Sequence, residues 1–321
     1  MDLISILRLS YLGAAFLVVL IYLIPALHDR FLTYGARAAS PATPHAAQEK
    51  VTLEQPAVAP YAVLLNYVAE IKVPHSWFTS FYALSVSLSL LWASQIMTGG
   101  PGYRAVAHWT AESDASMTFR QVIVAWAMLL VQGSRRLYEC LAFSKPSSSQ
   151  MWVGHWVLGI LFYSATSLAV WVEGIPALQA HTFTFSDVAI AAPNLQSIIS
   201  ILIFILASGF QHDCHTYLAS LKSTPKRISG NEARNDGYKL PDHLAFSGLI
   251  APHYNAECII YMSLAILAAP QGMWLNWTMV CALVFVAVNL GVTADGTKGW
   301  YERRFGKQAV EGKARMVPLI W

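Results

Sequence analysis

Gln132, Arg135, Arg136 and Glu139 stand in the stretch VQGSRRLYECLAF, directly after the apolar run QVIVAWAMLL. Their spacing is i, i+3, i+4 and i+7, which puts all four on one face of a helix. A planar guanidinium makes paired hydrogen bonds to phosphate or carboxylate, and Glu139 is within a helical turn of both arginines. One reading is a salt-bridged stripe whose arginines snorkel to lipid phosphates. The other is a site for a bound polyanion, and four polar groups on one face of an apolar helix weigh toward it, because ionisable groups at membrane depth are costly and usually face a cavity or a partner.

Three more clusters have the same character. In GFQHDCHTYLASLK, Gln211, His215, Leu218 and Lys222 share a face, as do His212 and His215. Helix-end capping by His and Lys is the ordinary role for such groups, and contact with a cofactor is the sharper one. His212, Cys214 and His215 could be read as metal ligands, but Cys214 falls on another face and structural zinc normally takes four ligands, so no metal is expected. In GLIAPHYNAECIIY, Pro252 opens a helix, with His253, Asn255 and then Glu257 one turn beyond His253. An acidic residue near a helix start is ordinary dipole chemistry, yet the order Pro, His, Tyr, Glu entering an apolar helix favours a site. The tail GWYERRFGKQAVEGKARMVPLIW reads as a basic, aromatic membrane-surface segment, or as Tyr301 and several cations folded over a nucleotide phosphate. There is no G-x-G-x-x-G fingerprint and no Walker A motif. A nucleotide held by these residues would sit inside a helical bundle.

The elements that must position these residues are membrane helices. The 321-residue chain is 55% hydrophobic and 12% charged, with mean hydropathy +0.45, whereas soluble domains carry about 25% charged residues. A spanning helix needs about 20 mostly apolar residues. Seven segments approach that length, at 4–27, 77–97, 119–143, 152–172, 195–214, 253–269 and 273–294. The expected fold class is therefore an all-α integral membrane protein, a bundle of about seven transmembrane helices. The first segment lacks a small-residue cleavage site and reads as a retained anchor. The Glu173–Asn194 segment has no Lys or Arg, while the 222–239 loop, the C-terminal tail and the first long loop are basic. The positive-inside rule then puts the N-terminus in the lumen and the C-terminus in the cytosol. The domain expectation is an anchor helix at 1–35, a cytosolic Ala/Pro-rich linker at 36–72 and a six-helix core with a basic tail at 73–321, one membrane domain overall. A net charge of +3 without a recognisable nucleic-acid motif argues against nucleic acid as a partner. The cysteines Cys140, Cys214, Cys258 and Cys281 are scattered and read as small buried residues.

Taken in order, the motifs VPHSWFTSFY, SRRLYEC, GFQHDCHTYLASLK, GYKLPDHLAFSGLIAPHYNAECIIY and the tail resemble the steroid 5α-reductase family, its polyprenol-reductase branch most of all. RRLYEC and PHY..E are the most specific of them, and the resemblance runs from about Val73 to the C-terminus. It implies seven helices in the endoplasmic reticulum membrane and NADPH bound among them from the cytosolic side. Arg136 matches the family's helix arginine. Gln211, His215, Lys222, Tyr238, His253, Glu257 and Tyr301 fall where family members contact the cofactor, and Arg135 and Asn289 are counted with them. Glu139 is the expected orienting partner of Arg136 and is grouped with the catalytic residues. Two departures stand out. Steroid enzymes carry a carbonyl-binding Tyr at the position of Gly133, which suggests room here for a different substrate head. They also carry a catalytic Glu where this chain has Lys72 or, slightly shifted, His75.

Hydride addition to a C=C bond needs an electron-poor alkene, which a conjugated carbonyl provides and an isolated allylic alcohol does not. The expected substrate is thus the long-chain isoprenoid polyprenal, formally polyprenol to dolichol in the supply of dolichol for protein N-glycosylation. A separate dehydrogenase would interconvert alcohol and aldehyde, and the tail would lie among membrane lipid. His75 and Tyr82 are the candidate hydrogen-bond donors to the developing enolate oxygen. Rival expectations are a sterol or enoyl-thioester double-bond reductase of the same fold, a membrane methyltransferase, and a non-enzymatic scaffold or transporter.

Overall fold

Caps and prolines set the helix ends. The computed structural model describes residues 1–32, 60–110, 115–144, 149–184, 187, 193–221 and 239–320. Residues 36–59 of the expected linker, together with Lys222 and Tyr238, lie outside them. Helix α1 (Leu3–Leu23) starts where the Asp2 carboxylate accepts the Ser5 N–H at 2.7 Å. Proline disfavours helical backbone in the residue before it, so Ile24 is extended (φ −95°, ψ 106°) and Pro25 opens a new helix, α2 (Pro25–Phe31). The first expected segment, 4–27, is therefore two helices.

After α3 (Pro60–Glu70), strand β1 (Lys72–Pro74) pairs antiparallel with β2 (Gln150–Trp152), Val73 opposite Met151. A 3₁₀ turn at His75–Phe78 leads into α4 (Thr79–Met97), followed by α5 (Pro101–Trp109). Helix α6 (Phe119–Ala142) opens with a reciprocal capping box between Thr118 and Gln121. Next come α7 (Val153–Ala169), α8 (Ile175–Ala180) and α9 (Leu195–Leu221). Helix α10 (Pro252–Leu267) starts on a proline, and α11 (Trp277–Phe305) is capped by Asn276 and ended by Gly306 at φ 90°. The short strand pair, α5 and α8 were not foreseen, nor was α3, which occupies Pro60–Glu70 of the expected 36–72 linker. The seventh segment, expected to end at 294, continues as helix through GWYERRF to Phe305.

Five of the described helical stretches are long and apolar enough to cross a membrane: Leu3–Leu23, His75–Met97, Val153–Ala180, Leu195–Leu221 and Trp277–Phe305. The other two expected segments are helices as well. In α6 the site residues dilute the apolar character, and α10 has only 16 residues. Contacts show that the seven main helices alternate in direction. At one end Arg8 of α1 donates to Glu173 (3.0 Å) and Thr278 (2.9 Å), Gln121 of α6 donates to the Leu267 and Ala269 carbonyls (2.9 Å each), and Gln196 of α9 donates to Ile266 O. At the other end lie the β1–β2 pair, the last turns of α6 and α9, the first turn of α10, and Asp295 of α11 bonded to Tyr22 of α1.

The apolar core fills the first of these ends. Tyr11, Met117, Val122, Ala125, Trp171, Leu264, Leu267, Met279 and Phe285 are buried there in one cluster. Lipid is as apolar as leucine, so helices in a bilayer associate through close packing and hydrogen bonds instead of solvent exclusion. Accordingly Leu9, Leu12, Phe16 and Leu17 of α1 are exposed, while Ser85, Ser89, Ser200, Ser263 and Thr166 are buried at helix contacts. Several of these hydroxyls satisfy themselves on their own helix: Ser89 donates to Ser85 O, Ser200 to Gln196 O, Ser263 to Ile260 O and Thr166 to Phe162 O. Helix α1 contributes Leu7, Tyr11, Ala15 and Val18 to the shared core, so the N-terminal helix is part of the bundle.

Asn276 fixes the turn between α10 and α11. It is fully buried; its Oδ1 accepts the Met279 N–H (2.9 Å), its Nδ2 donates to Ala268 O (3.0 Å) and its own N–H donates to Ala265 O (2.8 Å). Asn276→Ala removes the cap and leaves a buried carbonyl unpaired, so we expect a loss of about 1–3 kcal/mol, read as a lower melting temperature in detergent. Unchanged melting would show that this turn does not support the bundle.

Candidate active site

Opposite the apolar core, α6, α9, α10 and α4 enclose a polar network. Three of the four sequence clusters meet in it. Gln132 is the junction: its Nε2 donates to Gln211 Oε1 (3.1 Å) and Glu257 Oε2 (3.2 Å), and its Oε1 accepts from Arg135 Nη2 (2.9 Å) and Ser208 Oγ (3.3 Å). Gln211 in turn donates to Glu257 and to His253 O (3.2 Å), and accepts from Arg135. Glu139, only 2% exposed, receives Arg135 on one oxygen and Arg136 on the other, together with His212 Nδ1 (2.7 Å) and His215 Nδ1 (2.8 Å). His215 Nδ1 also lies 2.8 Å from Arg136 Nη1. A neutral imidazole nitrogen is either donor or acceptor, so His215 serves Glu139 or Arg136 at one time, not both.

Arg136 has a second task. Its Nη2 (2.9 Å) and Nε (3.2 Å) both donate to the hydroxyl of Tyr82 on α4, and the guanidinium carbon lies 4.8 Å from the centre of the Tyr82 ring. Tyr82 is buried, with Tyr163 of α7 edge-on at 5.4 Å and Phe78 at 5.6 Å. Two converging donors use the acceptor capacity of the phenolic oxygen. The phenol also shares a hydrogen bond with Tyr163, and its O–H proton is what Tyr82 would turn from that neighbour to a third group.

Two buried polar atoms of the network have no hydrogen-bond partner among the described residues: Arg135 Nε and His253 Nδ1. The His253 ring is fixed between His215 (5.4 Å) and Tyr254 (4.3 Å). Leaving such atoms unmet is costly, so both fit a ligand that brings its own donors and acceptors. In charge the network balances, two guanidinium groups against Glu139 and Glu257. It suits hydroxyl and carboxamide groups, whereas phosphate charge calls for further cations, and Lys222 lies outside the described residues.

The remaining expected site residues lie apart from this network. His75 is exposed at the β1–β2 corner; its ring stacks on Phe78 at 5.8 Å, so one aromatic ring separates it from Tyr82. Asn289 lines a cavity of about 140 Å³ with His28, His155, Thr293, Asp295 and Arg303, between α2, α7 and α11. Tyr301 packs on Trp300 and Phe305 and borders a small recess with Phe246 and Lys313. Three of the tail cations are engaged within the fold: Lys298 donates to Lys313 O (2.7 Å), Lys313 to Phe246 O (2.9 Å), and Arg315 pairs with Asp295. Tyr217, not singled out in the sequence, accepts the Asp242 (2.9 Å) and His243 (3.3 Å) N–H groups and donates to the Asp242 carboxylate, holding that carboxyl below its ordinary range. The hub role of Gln132 and the Arg136–Tyr82 pairing were also missed, although i+3 spacing from Arg135 marked Gln132.

Gly133 calls for a correction. A Cβ there would meet Ser85 Oγ at 3.1 Å and Val86 Cγ2 at 3.4 Å. The space expected for a different substrate head is filled by α4, and the glycine permits that close helix approach.

An all-α, multi-pass membrane bundle with a buried Arg–Glu–Tyr–His network near one end defines a membrane-embedded enzyme class. Residues 150–321 match the family described as 3-oxo-5-alpha-steroid 4-dehydrogenase, and the chain belongs to that family. It is an oxidoreductase acting on a carbon–carbon double bond. Among its relatives are an uncharacterised protein of Schizosaccharomyces pombe (26% identical, covering 78% of this chain and 80% of the relative), the polyprenal reductase of Xenopus tropicalis (27%, 78% and 80%) and that of Saccharomyces cerevisiae (26%, 81% and 79%). Gln211, His215, His253 and Glu257 lie within the family match; Tyr82, Gln132, Arg135, Arg136 and Glu139 precede it.

Gly133→Tyr tests the packing role. Overpacking a tight helix contact costs about 1–3 kcal/mol, so this variant should melt lower and lose activity on every substrate. A stable variant with activity gained on a steroid enone would instead restore the substrate-pocket reading.

Proposed function

We propose that the chain is an NADPH-dependent reductase that saturates the α-isoprene C=C bond of polyprenal to give dolichal, in the endoplasmic reticulum membrane. The observation that carries this reading is Arg136 holding the buried Tyr82 hydroxyl with two donated bonds, in a family whose curated relatives include polyprenal reductases.

NADPH, when bound, supplies the hydride for the β-carbon. His253 Nδ1, Gln211 and Glu257 would hold its uncharged polar groups, and Arg135 Nε would donate to an acceptor on it. Charge from the C=C bond moves onto the aldehyde oxygen as an enolate. Tyr82 donates its O–H to that oxygen, and the fixed Arg136 charge beside the phenol favours the electron-rich state. The α-carbon then takes a proton, from water in this reading. Glu139 keeps both guanidinium groups in place through its two oxygens. His75, outside the network, is the weaker donor of the two considered.

The same reading sets the orientation. Alternating helices place the start of α1 opposite the end of α11. Arg30, Lys72, Lys239, Lys307, Lys313 and Arg315 lie toward the site end, which the positive-inside rule assigns to the cytosol, with the N-terminus lumenal. Residues 73–321 form the reductase core, and α1 is its first membrane helix. An alcohol dehydrogenase would supply the aldehyde and consume its product, the isoprenoid tail lying in lipid.

Purified protein with NADPH should reduce polyprenal and leave polyprenol untouched; turnover of polyprenol without an added dehydrogenase would remove the aldehyde requirement. Tyr82→Phe keeps the ring and deletes the donor, so kcat should fall about 100-fold with NADPH affinity little changed. Normal turnover by that variant would exclude Tyr82 as the donor.

A further inference from the structure

Past Gly306 the chain turns back along the bundle, and its backbone meets the four residues that precede α10. Ala314 N–H donates to Gly248 O, Ile250 N–H to Ala314 O and Ala251 N–H to Arg315 O, each at 2.9 Å, with a parallel bridge between Leu249 and Ala314. Side chains tie this segment elsewhere. Arg315 pairs with Asp295 on α11, and the other oxygen of Asp295 accepts from Tyr22 of α1 at 2.9 Å. Lys313 Nζ reaches the Phe246 carbonyl at 2.9 Å. Met316 is buried with Ala251 and Ala294.

The four residues so held run directly into Pro252 and His253, with Glu257 one turn on. The Phe246 ring, in the stretch Lys313 holds, lies 6.3 Å from that of His253. His253 and Glu257 cannot shift without disturbing this pairing. Arg315, like Lys313, joins two elements, but it does so directly before Pro252: its carbonyl receives Ala251 and its guanidinium holds Asp295.

We infer that residues 306–317 form a positioning strap for the site, with Arg315 as the positioning residue that sets the register of Gly248–Ala251 and thereby the places of His253 and Glu257. The inference rests on reading the network as a cofactor site. The Arg315–Asp295 pair is about 33% and 24% exposed, and ion pairs with that much solvent contact add little stability. Its removal should therefore disturb alignment more than melting.

The test uses the full-length protein in detergent, with hydrogen–deuterium exchange measured without ligand and NADPH binding followed by tryptophan quenching. Arg315→Ala should speed exchange across 248–257 by about tenfold, leave amides 122–132 of α6 unchanged and weaken NADPH binding by about tenfold. Arg315→Lys should recover much of both. Should Arg315→Ala fail to fold, Asp295→Asn is judged by the same exchange measurement. Unchanged exchange at 248–257 in a folded variant overturns the strap, as does Arg315→Lys behaving no better than Arg315→Ala. Faster exchange in the variant, alongside a wild-type protein that does not bind NADPH, upholds the strap and overturns the cofactor reading.

Discussion

The pairing of Glu139 with Arg135 and Arg136 is the interaction on which the site depends. Deep in an apolar bundle, an unpaired charge is costly and a half-satisfied network is worse than none. Every main helix around the network answers that constraint: α6 supplies both arginines and the glutamate, α9 supplies Gln211, His212 and His215, α10 supplies Glu257, and α4 supplies Tyr82. The network determines where these helices must meet as much as the helices determine where the network lies. Breaking one side of it leaves a carboxylate or a guanidinium stranded in low dielectric.

The molecule divides its labour along the bundle axis. One end is a packed apolar core closed by Arg8, Glu173 and Thr278, with Glu173 also accepting the Met117 N–H. The other end gives up apolar packing for hydrogen bonds. A rigid base and a polar end built on rigid helices suit a site that must keep its geometry while small parts of it accommodate ligands.

Much of this was legible in the sequence. The apolar runs gave every main helix, and i, i+3, i+4 spacing gave the face carrying Arg135, Arg136 and Glu139. Local rules also explain the misses. Pro25 forces Ile24 out of the helix, a signal present in the sequence but outweighed by the continuous apolar run. The tail of α11 stayed hidden because the charged residues beyond Ala294 read as surface, although the helix runs on to Gly306. Gly133 was misread because a glycine that leaves room and a glycine that a neighbouring helix fills look alike until Ser85 is seen beside it. Pairings such as Arg136 with Tyr82, 54 positions apart, leave no trace in spacing.

Helices α9 and α11 have 27 and 29 residues, which at the helical rise makes each about 40 Å long, against a hydrocarbon layer about 30 Å thick. Both helices are longer than the layer, and the last turns of α9, which carry Gln211, His212 and His215, lie at the end where the network sits. Under the proposed function a water-soluble reactant and a lipid-borne one would be met there from opposite directions. Under the proposed chemistry the two are measured on different concentration scales. One is molar in the cytosol; the other is a mole fraction of the bilayer, so diluting the membrane with inert lipid slows the enzyme even when the total amount of isoprenoid is unchanged.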